Sequence, residues 1–278
     1  MPAKIKQRLV VNHHIWFIIL LLSTFASIVN AERRTEIVDR TILRVCADPS
    51  NMPFSNKQGE GFENKIAELL AQSLGTELVY TWFPQSQGFV RATLNDYKCD
   101  VIMGISAAHS LVLNTNPYYQ SIFSLIYRKD LGMEFSSIAD ESLKKLDRIG
   151  LIAGTSPTNL LLKYDLIDQL TPYHLYVDTR KVSSGAQMVQ HILDGKLDAG
   201  ILWGPIAGYH VSQHSSVIKY VPLVEDDSEE NRIAFKVTMG VRRGEVEWKR
   251  ALNKFIKHHS LEITAILVAY DVPIFNPK

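Results

Sequence analysis

The chain has 278 residues, with 30 Lys and Arg against 29 Asp and Glu and a formal net charge of +1 at pH 7. That length suits one large domain or two lobes with an ample core. The near balance of charge excludes the broad basic footprint of a nucleic-acid-binding protein.

The N-terminal segment differs from the rest. Lys4, Lys6 and Arg8 precede the apolar run Ile15-Trp16-Phe17-Ile18-Ile19-Leu20-Leu21-Leu22, and Val29 and Ala31 occupy the small-residue positions of a cut before Glu32. Residues 1–31 read as a secretory signal peptide, which predicts a periplasmic mature chain. The rival reading is an uncleaved anchor, for which the apolar core is short. No later run reaches spanning length, so no stable membrane span is expected after signal removal.

The rest of the chain is organised around residues 43–74. Leu43-Arg44-Val45-Cys46-Ala47 is a short apolar run that suits a buried strand. Asp48-Pro49-Ser50-Asn51-Met52-Pro53 breaks it with turn-forming residues. From Phe62 the period becomes helical through Ile66, Leu69, Leu70 and Leu74, with Gly75 at the C-cap. Ligands in open α/β sheets sit beyond the carboxyl ends of strands, so the loop 48–54, with Asp48, Asn51 and Phe54, is the first candidate site. Asp48 itself reads either as an Asx-type turn former or as a polar cleft group.

A second strand is predicted at 77–83, then a helix capped by Ser86 and carrying Phe89, Val90 and Leu94. A third strand follows at 99–104. Three strands alternating with two helices predict a parallel sheet with right-handed crossovers. Cys46 and Cys99 both lie in strand-like runs. In an oxidising compartment they can pair, provided their Cα atoms come within about 7 Å; they can equally be buried thiols. The β-rich run 121–128 reads as the crossover to a second lobe.

That lobe repeats the plan: a strand at 148–153, Ser156 as N-cap with Pro157 at the first helical position, and Leu160, Leu161, Tyr164 and Leu166 on the helix. A strand is predicted at 175–177. Ser184 and Gln187 have capping-box spacing before Met188, Val189, Ile192 and Leu193, and a strand follows at 198–202. The run 94–101 echoes 192–199: each is a helix end, a Lys-x-Asp turn and a strand, a pattern that any helix-to-strand junction can also produce. The acidic run 225–230 reads as a solvated loop and 231–241 as the return strand. Two amphipathic helices close the chain, one with Trp248, Leu252, Phe255 and Ile256, the other with Ile263, Ile266, Leu267 and Tyr270.

In their order and spacing these motifs resemble the type 2 periplasmic solute-binding proteins. A closer resemblance is to the MxaJ/XoxJ family of methanol-oxidation gene clusters, a quinoprotein-dehydrogenase-associated branch of that fold. It is carried by Cys46-Ala47-Asp48-Pro49, Pro53-Phe54-Ser55-Asn56, Gly61-Phe62-Glu63-Asn64-Lys65-Ile66, Tyr80-Thr81-Trp82-Phe83-Pro84-Gln85, Gly88-Phe89-Val90-Arg91, Asn116-Pro117-Tyr118-Tyr119, Trp203-Gly204-Pro205 and 266–273. The resemblance implies two α/β lobes, each a mostly parallel sheet flanked by helices, joined by two crossover strands. The expected division is 41–126 and 235–278 for the first lobe and 127–234 for the second. It also implies a non-catalytic accessory role whose partner is a PQQ-dependent alcohol dehydrogenase, with no cofactor of its own. Asp271 stands where the family usually has Gly, and the Arg expected near Leu111 is missing.

Relatives of this fold that bind amino acids grip the carboxylate with that Arg and the ammonium with an Asp ending the strand equivalent to 198–202. Here 106–116 contains no Arg or Lys, and Trp203 takes the Asp position. The resemblance therefore implies a cleft without that clamp, and no ordinary amino-acid binding. Ser106, Thr155, Ser156 and Trp203 complete the candidate cleft residues. Trp203 reads as a core aromatic or a cleft platform, and Ser156 as an anion-holding helix start or a plain cap. His210 and His214 have metal-ligand spacing but no zinc-protease Glu beside them, so no metal is expected. His258 and His259 lie at a helix end, where a cation suits the dipole. No phosphate loop or nucleophile elbow is present. One alternative is an extracytoplasmic solute-binding protein of an ABC transporter for a small solute other than an amino acid; an enzymatic alternative comes from secreted relatives resembling cyclohexadienyl dehydratase. Its only nameable acid/base candidates are Glu63 and Arg91, on helix faces that could be exposed.

Overall fold

The computed structural model describes residues 41–224 and 233–275. The expected signal peptide, the acidic run and the first residues of the expected return strand lie outside the described residues. The elements in chain order are β1 (Ile42–Ala47), β2 (Ser50–Asn51), β3 (Ser55–Asn56), α1 (Phe62–Leu74), β4 (Glu77–Trp82), α2 (Phe89–Ala92), β5 (Val101–Ser106), β6 (Leu113–Arg128), β7 (Ile149–Ile152), α3 (Pro157–Lys163), β8 (Leu170–Tyr173), α4 (Ser184–Leu193), β9 (Ala199–Trp203), α5 (Gly204–Gln213), β10 (Ile218–Pro222), β11 (Ala234–Val241), α6 (Val246–His258) and α7 (Ser260–Ala269).

The main strands run in the order β4-β1-β5-β11-β6-β9-β7-β8, with β10 also on β6. Within the first lobe β1 is parallel to β4 and β5, and within the second β7 is parallel to β8 and β9. The long strand β6 threads both. From Leu113 to Ile122 it pairs antiparallel with β11, and from Phe123 to Arg128 with β9 and β10. The 121–128 run is thus the second half of a 16-residue strand. Pro117 hid the first half, because it cannot donate to a ladder. The strand accommodates it at a register shift opposite Val237 and Thr238.

Three further details differ from the sequence reading. Gly88, not Ser86, begins the short helix α2, in a left-handed conformation (φ 91°). Ser183, not Ser184, caps α4 by accepting from the Ala186 N–H, while Ser184 donates to the His174 carbonyl. The strand expected at 175–177 is β8, at 170–173. It ends at Tyr173 because β7, its only partner among the described residues, ends at Ile152, so Leu175 and Tyr176 lie exposed beyond the sheet edge.

Each lobe has its own core. Phe62, Ile66 and Leu70 of α1 pack with Met239, Leu252 and Phe255 in the first, each fully buried side chain contributing about 2 kcal/mol. Leu125, Ile149, Leu151, Leu160 and Ile201 fill the second. Cys46 and Cys99 are joined as a disulfide, their Cα atoms 5.5 Å apart. The internal echo is matched in space. Asp100 N–H donates to the Arg44 carbonyl and Asp198 N–H to that of Arg148, and each Asp pairs with that same Arg through its side chain. Among the described residues no helix is long and apolar enough to cross a membrane.

Candidate functional site

The carboxyl ends of β1, β5 and β9 face a common cleft between the lobes. It holds a cavity of about 660 Å³, walled by Phe54, Glu63, Gly104, Ser106 and Tyr119 from the first lobe and by Phe123, Thr155, Ser156 and Trp203 from the second, with Phe235 and Lys236 of β11 between. Aromatic rings dominate it. Trp203, the last residue of β9, meets Phe123 at 5.3 Å and Phe235 at 6.0 Å between ring centroids, in edge-on arrangements. Trp203 is therefore a half-buried cavity wall.

Phe54, Ser106, Thr155, Ser156 and Trp203 line the cavity; Asp48 and Asn51 do not. Asp48 is only 2% exposed. Its Oδ1 accepts from the Ser50 N–H at 2.8 Å, the Asx turn expected of it, and its Oδ2 accepts from the Gln85 N–H at 2.5 Å. The hydroxyl of Thr179, on the other lobe, donates to the same carboxylate at 2.8 Å. Asp48 is thus a clasp across the mouth of the cleft rather than part of its wall. Asn51 sits beside it, donating from Nδ2 to Gln85 Oε1 at 3.2 Å.

Thr155 uses its hydroxyl locally, on the Ile152 carbonyl at 2.6 Å. Ser156 precedes Pro157 as expected, but its hydroxyl makes no cap bond. Its Oγ is buried and has no hydrogen-bond partner. Capping does not account for this side chain.

Glu63 corrects the sequence reading most. It is 8% exposed, in the first turn of α1, and forms part of the cavity wall. A Cβ on Gly104 would fall 1.9 Å from its Oε1, so the missing side chain at 104 is what makes room for the carboxyl. No hydrogen bond to that carboxyl is found among the described residues. Burial, and secondarily the charge of Asp48, pushes its pKa up to about 8. The signal was in the periodicity: Glu63 shares the helix face of Ile66, Ala67 and Leu70, all buried. Arg91 is exposed, as anticipated. With His109 and Lys236 it gives the cavity wall basic groups as well. The amino-acid clamp positions lack charge, but the cavity itself is not uncharged. Burial lowers the His109 pKa.

His210, on α5, is held to about 4 by burial and by His214, and the described residues contain no cluster of three or more metal-ligating side chains. Asp271 has φ 53°, and its carbonyl lies so close to α5 that a Cβ on Gly208 would stand 1.8 Å from it. That left-handed turn is one that Gly takes without strain and that Asp tolerates.

The family model for bacterial extracellular solute-binding proteins, family 3, matches residues 43–266, and the chain belongs to that family. The crystal structure of the periplasmic binding protein XoxJ from Methylobacterium extorquens AM1 is 38% identical, with a TM-score of 0.70 over 84% of this chain and 100% of that one. Protein MoxJ of Methylorubrum extorquens is 28% identical over 253 residues, 85% of this chain and 82% of its own length. Cyclohexadienyl dehydratase of Pseudomonas aeruginosa is 29% identical over 189 residues, 64% of this chain and 66% of its own. Within the family the chain is MxaJ/XoxJ-like.

Proposed function

We propose that this is a periplasmic accessory protein of a PQQ-dependent methanol or alcohol dehydrogenase system, one that meets the dehydrogenase and helps its assembly or activation without catalysis of its own. The observation that carries the reading is the likeness to XoxJ over that protein's whole length. The filling of the ammonium position by Trp203, packed on Phe123 and Phe235, supports it, because a ring cannot replace a carboxylate toward an amino acid. Gel filtration and pull-down with the cognate dehydrogenase test it. A complex, and reduced dehydrogenase activity in a deletion strain, are expected. No complex together with normal activity in that strain would overturn it.

Glu63 favours one second reading. A buried carboxyl with a raised pKa between the lobes is what a dehydratase-like catalyst on this scaffold would use as an acid. Incubation with a cyclohexadienyl acid separates the two. Appearance of an aromatic product, abolished in Glu63→Gln, would establish the enzyme reading; no turnover would leave the accessory role.

A further inference from the structure

The last helix is apolar on both sides. α7 packs on α1 and α6, with Ile263 and Leu267 in the first-lobe core. On the outer side Leu261, Ala265 and Val268 stand four and three residues apart, so they form one stripe along the helix. Leu261 is 82% exposed, the most of any large hydrophobic residue among those described, and Val268 is 61% exposed. Surface helices normally turn polar residues outward, so an apolar outer stripe marks a contact.

The end of α6 sets positive charge beside the start of that stripe. Lys254 and Lys257 are exposed and join no ion pair among the described residues. Lys257 precedes Leu261 by one helical turn's length of chain, across the short corner between α6 and α7. The acids nearby are already engaged. Glu247, on the outer face of α6, pairs with Arg250, and the Glu262 Oε1 lies 3.2 Å from His259 Nδ1. Neither acid cancels the two lysines.

We propose that α7 docks the protein on an anionic lipid surface, with Leu261, Ala265 and Val268 entering the headgroup boundary and Lys254 and Lys257 lying against the acidic headgroups. Composition decides between a membrane and a protein partner. Protein interfaces are enriched in aromatic residues, Met and Arg and depleted in Lys. α7 contains no aromatic residue, and the free cations beside it are lysines. Aliphatic side chains flanked by Lys suit the lipid boundary, where the Lys stem lies along apolar surface and its ammonium reaches the headgroups. Neither a short stripe nor two cations holds a protein there alone; weak anchors act in pairs. Docking of this kind needs no dehydrogenase and no ligand in the cleft.

Vesicle co-sedimentation of the chain from Glu32, the expected secreted form, tests this. Vesicles of phosphatidylcholine alone are compared with equal parts of phosphatidylcholine and phosphatidylglycerol. The wild type is expected to bind the anionic vesicles at least about tenfold more tightly, and to lose that margin in about 0.5 M salt. Lys254→Ala with Lys257→Ala should lose roughly 20-fold on anionic vesicles and nothing on neutral ones. Leu261→Ser with Val268→Ser should lose about tenfold on both. Leu162→Ser, at an exposed leucine of α3 in the second lobe, should change nothing. These positions are all exposed, and urea unfolding checks that each variant keeps its fold. If a variant does not, the wild-type comparison of lipids and salt decides alone. No preference of the wild type for anionic vesicles, or a preference that either pair of changes leaves intact, would overturn the proposal. So would loss of dehydrogenase binding in Leu261→Ser with Val268→Ser when the wild type ignores vesicles, which would make the face a protein interface.

Discussion

The two ends of β5 treat a buried acid in opposite ways. At its start, Asp100 takes the Arg44 guanidinium on both oxygens at 2.7 Å and Arg242 at 2.5 Å, while Trp248 donates to its carbonyl. Arg242 also binds Glu245 and the carbonyls of Leu94 and Cys99. Near its other end, at Gly104, the Glu63 carboxyl has no such partner. Both oxygens of Asp100 are used within the chain, so its role is structural, while Glu245 Oε2 beside it keeps no partner. The arrangement at Glu63 leaves capacity facing a cavity, which costs stability.

Breaking the satisfied end should do the most damage. Arg242→Ala strands Glu245 and leaves Asp100 to Arg44, and urea unfolding should show a loss of about 4 kcal/mol. The disulfide guards the same end. Replacing Cys46 and Cys99 by Ser frees a 53-residue separation and should cost about 3 kcal/mol. The unsatisfied end should respond in the other direction. The folded pKa of Glu63 is raised from 4.5 to about 8, so the native state holds a proton that the unfolded chain has released. Its contribution therefore erodes stability as pH rises from about 4.5 to 8 and is flat beyond. Glu63→Gln should be more stable than wild type at pH 8 by roughly 4 kcal/mol and equal to it near pH 4, by unfolding at both pH values.

A smaller effect separates the cleft's clasp from its wall. Thr179→Val removes the donor that joins the second lobe to Asp48 and should cost about 1 kcal/mol, with a wider lobe separation in small-angle scattering. The smallest expected signal is none at all. The common α-amino acids should show no binding tighter than about 0.1 mM by titration calorimetry, and a submicromolar affinity would restore the clamp that Trp203 replaces.

The contrast was half legible in the sequence. The change of period across 43–74 gives β1, the turn at Asp48 and α1, because burial of one strand and one helix face is a local property. Ser156 and Trp203 could be placed at the cleft because they follow strand ends. Glu63 was not recognised. Its periodicity put it on the buried face of α1, but only Gly104, 41 positions on, shows that a carboxyl fits there. The Cys46–Cys99 bond likewise needs the parallel pairing of Val45 with Val101, a contact between strands separated in the chain by two helices and three other strands. Thr179 lies in a run with no periodic signal, and its role exists only across the lobes.

The ionisation of one side chain tests the account most directly. Infrared difference spectroscopy, with Glu63→Gln as the blank, should find the Glu63 carboxyl protonated at pH 6.5 and half-titrated near pH 8. A carboxylate already ionised at pH 6.5, titrating near the ordinary 4.5, would contradict it.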